Sequence, residues 1–193
     1  MTTLNLAVAA SAGDASEKDD GSGFNAAETV FYGDSNTSAA SRRNSGFRLV
    51  NVTIAAGSTI NTAVAKLYVK NTGDANLQIH CEAADSGDFS TNADVTSRTR
   101  TTAYTQWTAN VGSWAIKTSP DFAGAVQEVI DGGGWSSGNA VVVLFCGKSD
   151  SNHSFWAYSY DGWSENPPKL DIDYTVGGGA TTRRYSLTTL GVG

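Results

Sequence analysis

The chain has 193 residues, of which 40% are apolar and 17% charged: enough to fill the core of one domain, and not a composition that leaves a chain disordered. Its formal net charge of -6, from 13 Lys+Arg against 19 Asp+Glu, excludes a nucleic-acid binder that works through clustered cations. No run approaches the roughly 20 apolar residues of a membrane span, so no membrane insertion is expected.

Short alternating runs separated by turn residues dominate, with 21 glycines and 3 prolines between them, which is the pattern of a mostly β sandwich or barrel. Met1 to Gly13 carries no Lys or Arg, and its apolar stretch is broken at Asn5, so no export signal is expected. Leu4, Leu6 and Val8 alternate with small polar residues, and the polar stretch SAGDASEKDDGSG that follows reads as a loop. Phe47 to Ile54 is apolar on both faces toward its end and predicts a central strand. Residues 63–70 put Ala65, Leu67 and Val69 on one face and Lys66, Tyr68 and Lys70 on the other. Leu77 to Glu82 and Ala140 to Cys146 predict further strands. Cys81 and Cys146 lie within these runs and are expected as buried free thiols, a disulfide between them being left open.

One segment breaks the β rhythm. Ser119-Pro120-Asp121 predicts a helix start, with Ser119 as N-cap, and the helix runs over about 119–131. Phe122, Val126, Val129 and Ile130 form its apolar stripe, and Gly132 to Gly134 ends it. Lys169 to Val176 then alternates cleanly, with Leu170, Ile172, Tyr174 and Val176 inward and Lys169, Asp171 and Asp173 outward. After a Gly177–Gly179 hinge comes an arm with Arg183 and Arg184 ahead of Tyr185, Leu187, Leu190 and Val192. The domain is therefore expected over 1–176, with 177–193 as hinge and arm.

Chemistry-bearing patterns are few. His80 and His153 have no metal-ligand spacing, no Gly-x-Ser-x-Gly elbow is present, and DGGGWSSG follows a helix rather than opening one. The carboxylates Asp19-Asp20, Asp85/Asp88 and Asp171/Asp173 are pairs by proximity alone. Asp14 to Gly23 lacks the spacing of a calcium loop. No enzyme, cofactor or metal site is expected.

Aromatic residues carry more information. The five tryptophans, 107, 114, 135, 156 and 163, all fall in the second half. Trp135 is expected in the core, and Trp107 and Trp114 against the helix. Trp163, in the loop DGWSENPP, is expected to be exposed and to form with Trp156 and Tyr160 a stacking platform for a glycan or an anchor for a protein partner. Arg98 and Arg100 in TSRTRT read as a solvent-facing strand ladder, and Arg42-Arg43 as too isolated for a basic patch.

From 47 to 175 a longer order is visible: FRLVNVTIAAGSTINTAVAKLYV, then DFSTNADVTSRTRTTAYTQWTA, then SPDFAGAVQEVIDGGGWSSGNAVVVLF, then AYSYDG and PPKLDIDYT. This order, over about two-thirds of the chain, resembles the DNRLRE-type β-sandwich modules, a group that includes the family 96 carbohydrate-binding modules. The helix followed by Gly-Trp-Ser-Ser-Gly-Asn and the closing Pro-Lys-Leu strand are its most specific pieces. The resemblance implies an antiparallel β-sandwich of jelly-roll type with one short α-helix. A freestanding module with an arm further resembles virion proteins of tailed bacteriophages. The expectation is thus a non-enzymatic virion structural protein, a capsid decoration or tail-associated module. It would dock on capsid or tail proteins through Arg183, Arg184, Tyr185, Leu187 and Leu190, with a trimer as the candidate homo-oligomer. The alternative is a carbohydrate-binding module acting through Trp156, Tyr160 and Trp163.

Overall fold

The computed structural model describes residues 1–177 other than 72, 151 and 155. Among the described residues, eleven strands build two sheets, and every strand pair is antiparallel. The six-stranded sheet runs β1 (Thr2–Ala7), β11 (Lys169–Thr175), β5 (Thr59–Val69), β10 (Trp156–Tyr158), β3 (Val30–Tyr32), with β8 (Ala115–Thr118) also paired to β5. The five-stranded sheet runs β2 (Asp14–Lys18), β4 (Arg43–Leu49), β9 (Val141–Gly147), β6 (Gly73–Cys81), β7 (Thr105–Val111). The protein is a β-sandwich with one short α-helix, α1 (Ala123–Ile130), among the described residues.

Alternation decides which way each strand faces. Ala63, Ala65, Leu67 and Val69 of β5, with Leu170 and Ile172 of β11, are fully buried and meet Phe47, Leu77, Ile79, Val143 and Phe145 from the other sheet. Phe31, Phe47 and Phe145 pack as a ring cluster at its centre, Phe31 and Phe145 edge-on at 5.0 Å. Each such buried side chain contributes roughly 1.5–3 kcal/mol over its exposed state. Val126, Val129 and Ile130 of α1, together with Phe122, press into the same core, so the apolar stripe is as the sequence spaces it.

The five-stranded sheet is buried on both faces at β9. Val142, Leu144 and Cys146 of β9 point away from the central core into a second cluster with Ala15, Phe89 and Val95. This is why that strand reads as a continuous apolar run. Cys81 belongs to the central core and Cys146 to the second cluster, and both are buried free thiols. Burial pushes the Cys146 thiol up to about 11.

Several expectations are corrected. The stretch taken for a loop contains β2, paired to β4 from Asp14↔Phe47 to Lys18↔Arg43. The strand expected over 47–54 begins earlier and ends at Leu49; Val52 and Ile54 are buried outside it. Ser119 is not the N-cap. Its hydroxyl accepts the Ala65 N–H (2.9 Å) and its own N–H donates to the Ala65 carbonyl (2.9 Å), so β5 holds it and the helix starts after Phe122. Asp121 serves the helix instead, accepting the Ala123 N–H at 2.9 Å. Val176 lies one residue past the last β11–β5 pair and is exposed rather than inward. The arm, with Arg183, Arg184, Tyr185, Leu187 and Leu190, lies outside the described residues. No helix among the described residues is long and apolar enough to cross a membrane.

Candidate functional site

Because Leu67 and Val69 face the core, Tyr68 faces outward from the six-stranded sheet; because Ala157 faces the core, Trp156 and Tyr158 do the same. Trp163, on the turn after β10, drops onto this face. Its ring meets Tyr68 edge-on at 4.7 Å and Tyr158 edge-on at 5.6 Å. Trp114 completes the group from the turn between β7 and β8, with 64% of its surface exposed. Tyr68, Trp114, Tyr158, Gly162 and Trp163 line an open cleft of about 270 Å³. The aromatic face continues sideways: Trp156 meets Tyr32 edge-on at 5.9 Å, and the Arg43 guanidinium lies 4.1 Å over the Tyr32 ring. Lys70 places its ammonium 5.4 Å from the Tyr158 ring centre.

Local backbone chemistry fixes these rings. Trp114 adopts a left-handed backbone with φ of 57°, a conformation that costs a bulky residue on the order of 1–2 kcal/mol. It is held there by its N–H donating to the Val69 carbonyl (2.7 Å) and by the Tyr68 hydroxyl donating to its own carbonyl (3.2 Å). The turn carrying Trp163 is equally tied down. The Trp163 N–H donates to the Ser159 carbonyl (3.1 Å), the Gly162 N–H to the Ser159 hydroxyl (3.1 Å), and that hydroxyl to the Glu28 carbonyl. Gly162 lies so close to the Thr29 carbonyl that a Cβ there would collide with it.

Of the three residues expected in the platform, Trp156 and Trp163 lie on this face, Trp156 exposed and Trp163 half-buried against the two tyrosines rather than exposed as expected. Tyr160 instead packs partly buried against the central core. Trp107 is buried and contacts Phe145, and Trp135 is buried with its indole N–H donating to the Ile54 carbonyl (2.9 Å). Trp114 does not pack on the helix as expected, because the β7–β8 turn carries it to the other sheet. Tyr68 and Tyr158 were missed as site residues. The outward phase of Tyr68 is visible in its strand, but nothing local joins it to a turn 95 positions later.

Arg98 is likewise not a solvent-facing ladder residue. It is 5% exposed, pairs with buried Glu82 (2.8 Å) and with Asp94 (3.1 Å), and stacks over Phe89 at 4.1 Å. The proximity pairs of carboxylates each engage a neighbour. Asp85 and Asp88 both bind Arg48, Asp19 binds Arg42, Asp171 binds Lys66, and Asp173 accepts the Thr3 hydroxyl (2.5 Å).

A second, larger cleft of about 740 Å³ opens at one end of the sandwich, between Arg48, Val50 and Asn51 and the Gly132–Trp135 stretch. Its walls are mostly backbone and small side chains, the Trp135 ring among them is buried, and its one cation is the Arg48 already held by two carboxylates. It offers no ring face comparable to the aromatic cleft. Among the described residues, no group of three His, Cys, Asp or Glu side chains is placed to hold a metal ion. No protein-family model matches the chain, and no curated protein matches it.

Proposed function

We propose that this protein is a non-enzymatic carbohydrate-binding module that takes a polysaccharide across the outer face of its six-stranded sheet. The observation that supports it is the convergence of Tyr68, Tyr158, Trp163 and the strongly exposed Trp114 around one open cleft, extended by Trp156 and Tyr32. Sugar rings present apolar C–H faces that suit such rings, and Lys70 and Arg43 at the margins can donate to hydroxyls. A rigidly held Trp114 in a costly backbone conformation is consistent with a residue kept for contact rather than for packing.

The test is tryptophan fluorescence titrated with a panel of polysaccharides, alginate and neutral glucans among them. A saturable shift that Trp163→Ala abolishes supports the reading, and the absence of any response across the panel overturns it. A second reading, attachment to bacteriophage capsid or tail proteins as a virion component, is favoured by the spacing of Tyr185, Leu187 and Leu190 behind Arg183 and Arg184. Deleting residues 180–193 should then remove the protein from particles and leave the sandwich folded; unchanged incorporation overturns that attachment.

A further inference from the structure

We propose that Asp14 is a positioning residue for the aromatic cleft, holding the turn Ser159–Trp163 against the sandwich when protonated and loosening it when ionised, so that glycan binding weakens as pH rises. This rests on the glycan reading above for its consequence, but not for its geometry. Asp14 opens β2 in the five-stranded sheet, 1% exposed, and its Oδ2 accepts the Tyr160 N–H at 2.8 Å. One residue on, Asp161 accepts the Ser11 hydroxyl at 2.7 Å. Two carboxyl groups thus flank the start of the turn whose end carries Trp163 onto Tyr68 and Tyr158.

Asp161, on the turn itself, is the charged group that bears on Asp14. Within the turn Tyr160 engages through its amide, while the register partner Phe47 and the 3-10 turn Ser11–Gly13 bring no charge. Burial pushes the Asp14 carboxyl up to about 7, against the lowering pull of the Tyr160 N–H and with the help of the Asp161 charge. The sign follows. The closed turn keeps a proton on Asp14 that an opened turn, which admits water to the carboxyl, would hold less tightly. Closure is therefore most favoured at acidic pH, weakens as pH rises toward the closed-state value of about 7, and levels off above it.

The ligand-free full-length chain provides the first arm. NMR of the Tyr160 amide and Trp163 indole from about pH 4 to 8.5 should show both resonances shifting with Asp14, and Asp14→Asn, which keeps an acceptor for Tyr160, should abolish the shift. Asp161→Asn should move the midpoint to lower pH, because it removes the repelling charge. In the second arm, neutral laminarin, whose own charge does not change, should bind wild type roughly threefold or more weaker at about pH 7.5 than at about pH 5, and Asp14→Asn equally at both. Resonances that do not move in wild type, or that move identically in Asp14→Asn, overturn the proposal. A turn that responds to pH through Asp14 without laminarin binding at any pH upholds the latch and counts against the glycan reading alone.

Discussion

On the outer side of the five-stranded sheet, Val142, Leu144 and Cys146 disappear beneath Phe89, Val95 and Phe24, whereas on the outer side of the six-stranded sheet Trp114, Ile116 and Trp156 remain in water. The cover over the first face is held by buried ions. Glu17, 1% exposed, accepts the N–H groups of Ala93, Val95 and Thr96 and the Thr96 hydroxyl, and Arg98 binds Glu82 and Asp94 from the same segment. That segment buries one apolar surface at the cost of desolvating Arg98, Glu17 and Glu82. The second face has no such cover among the described residues and yet concentrates large rings. Burial explains the first face and, among the described residues, does not explain the second, which is the physical argument behind the proposed glycan contact.

The sharpest way to break this contrast is at the buried ions. Arg98→Ala leaves Glu82 as an unpaired anion in a dry environment, and should cost on the order of 3–5 kcal/mol of stability by urea denaturation. Trp163→Ala on the uncovered face should cost far less while removing glycan binding. If the two losses are comparable, the rings of the open face are structural and the comparison fails. Gly46→Ala probes the same cover more gently. A Cβ there would lie 2.7 Å from Phe89 and 2.9 Å from Leu144, within the second cluster, and should cost about 1–3 kcal/mol by overpacking without touching the aromatic cleft.

How much of this was legible follows from how each element is buried. β5 and β11 are half-buried, so their alternation exposes both their existence and their facing, including the outward phase of Tyr68. β2 has the sequence DASEK, with no apolar alternation, because its buried Asp14 and Glu17 are satisfied by groups far away in sequence, at Tyr160 and Ala93 to Thr96. A polar strand of that kind reads as a loop until its donors are known. The helix stripe was legible and its start was not, since Ser119 is a competent cap that β5 claims first. The Trp107–Trp114 pair divides for a similar reason: between Val111 and Ala115 the chain crosses from one sheet to the other, so one ring enters the core and the other lands on the open face. The cleft joins positions 68, 114, 158 and 163, and that juxtaposition belongs to sheet topology rather than to any local pattern.

The smallest expected effect gives the cleanest separation of fold from function. Trp114 sits at φ of 57°, where glycine loses little and any residue with a Cβ is penalised by roughly 1 kcal/mol or more. Trp114→Gly and Trp114→Ala remove the same exposed ring from the cleft, so both should weaken polysaccharide binding alike. They differ in the backbone. The Gly variant relaxes the strain and gives back part of the gain through the extra freedom of its unfolded chain, while the Ala variant keeps the strain in full. Thermal or urea denaturation should therefore place Gly above Ala by about 1 kcal/mol and near or above wild type. A ring that is 64% exposed contributes too little packing to lift wild type far above the Gly variant. If Trp114→Gly instead destabilises the chain by several kcal/mol, the ring is packed in solution and the left-handed turn exists to bury it. Equal stability of the two variants would mean the turn relaxes out of the left-handed region once the ring is gone, so that the ring's own contacts hold the strain.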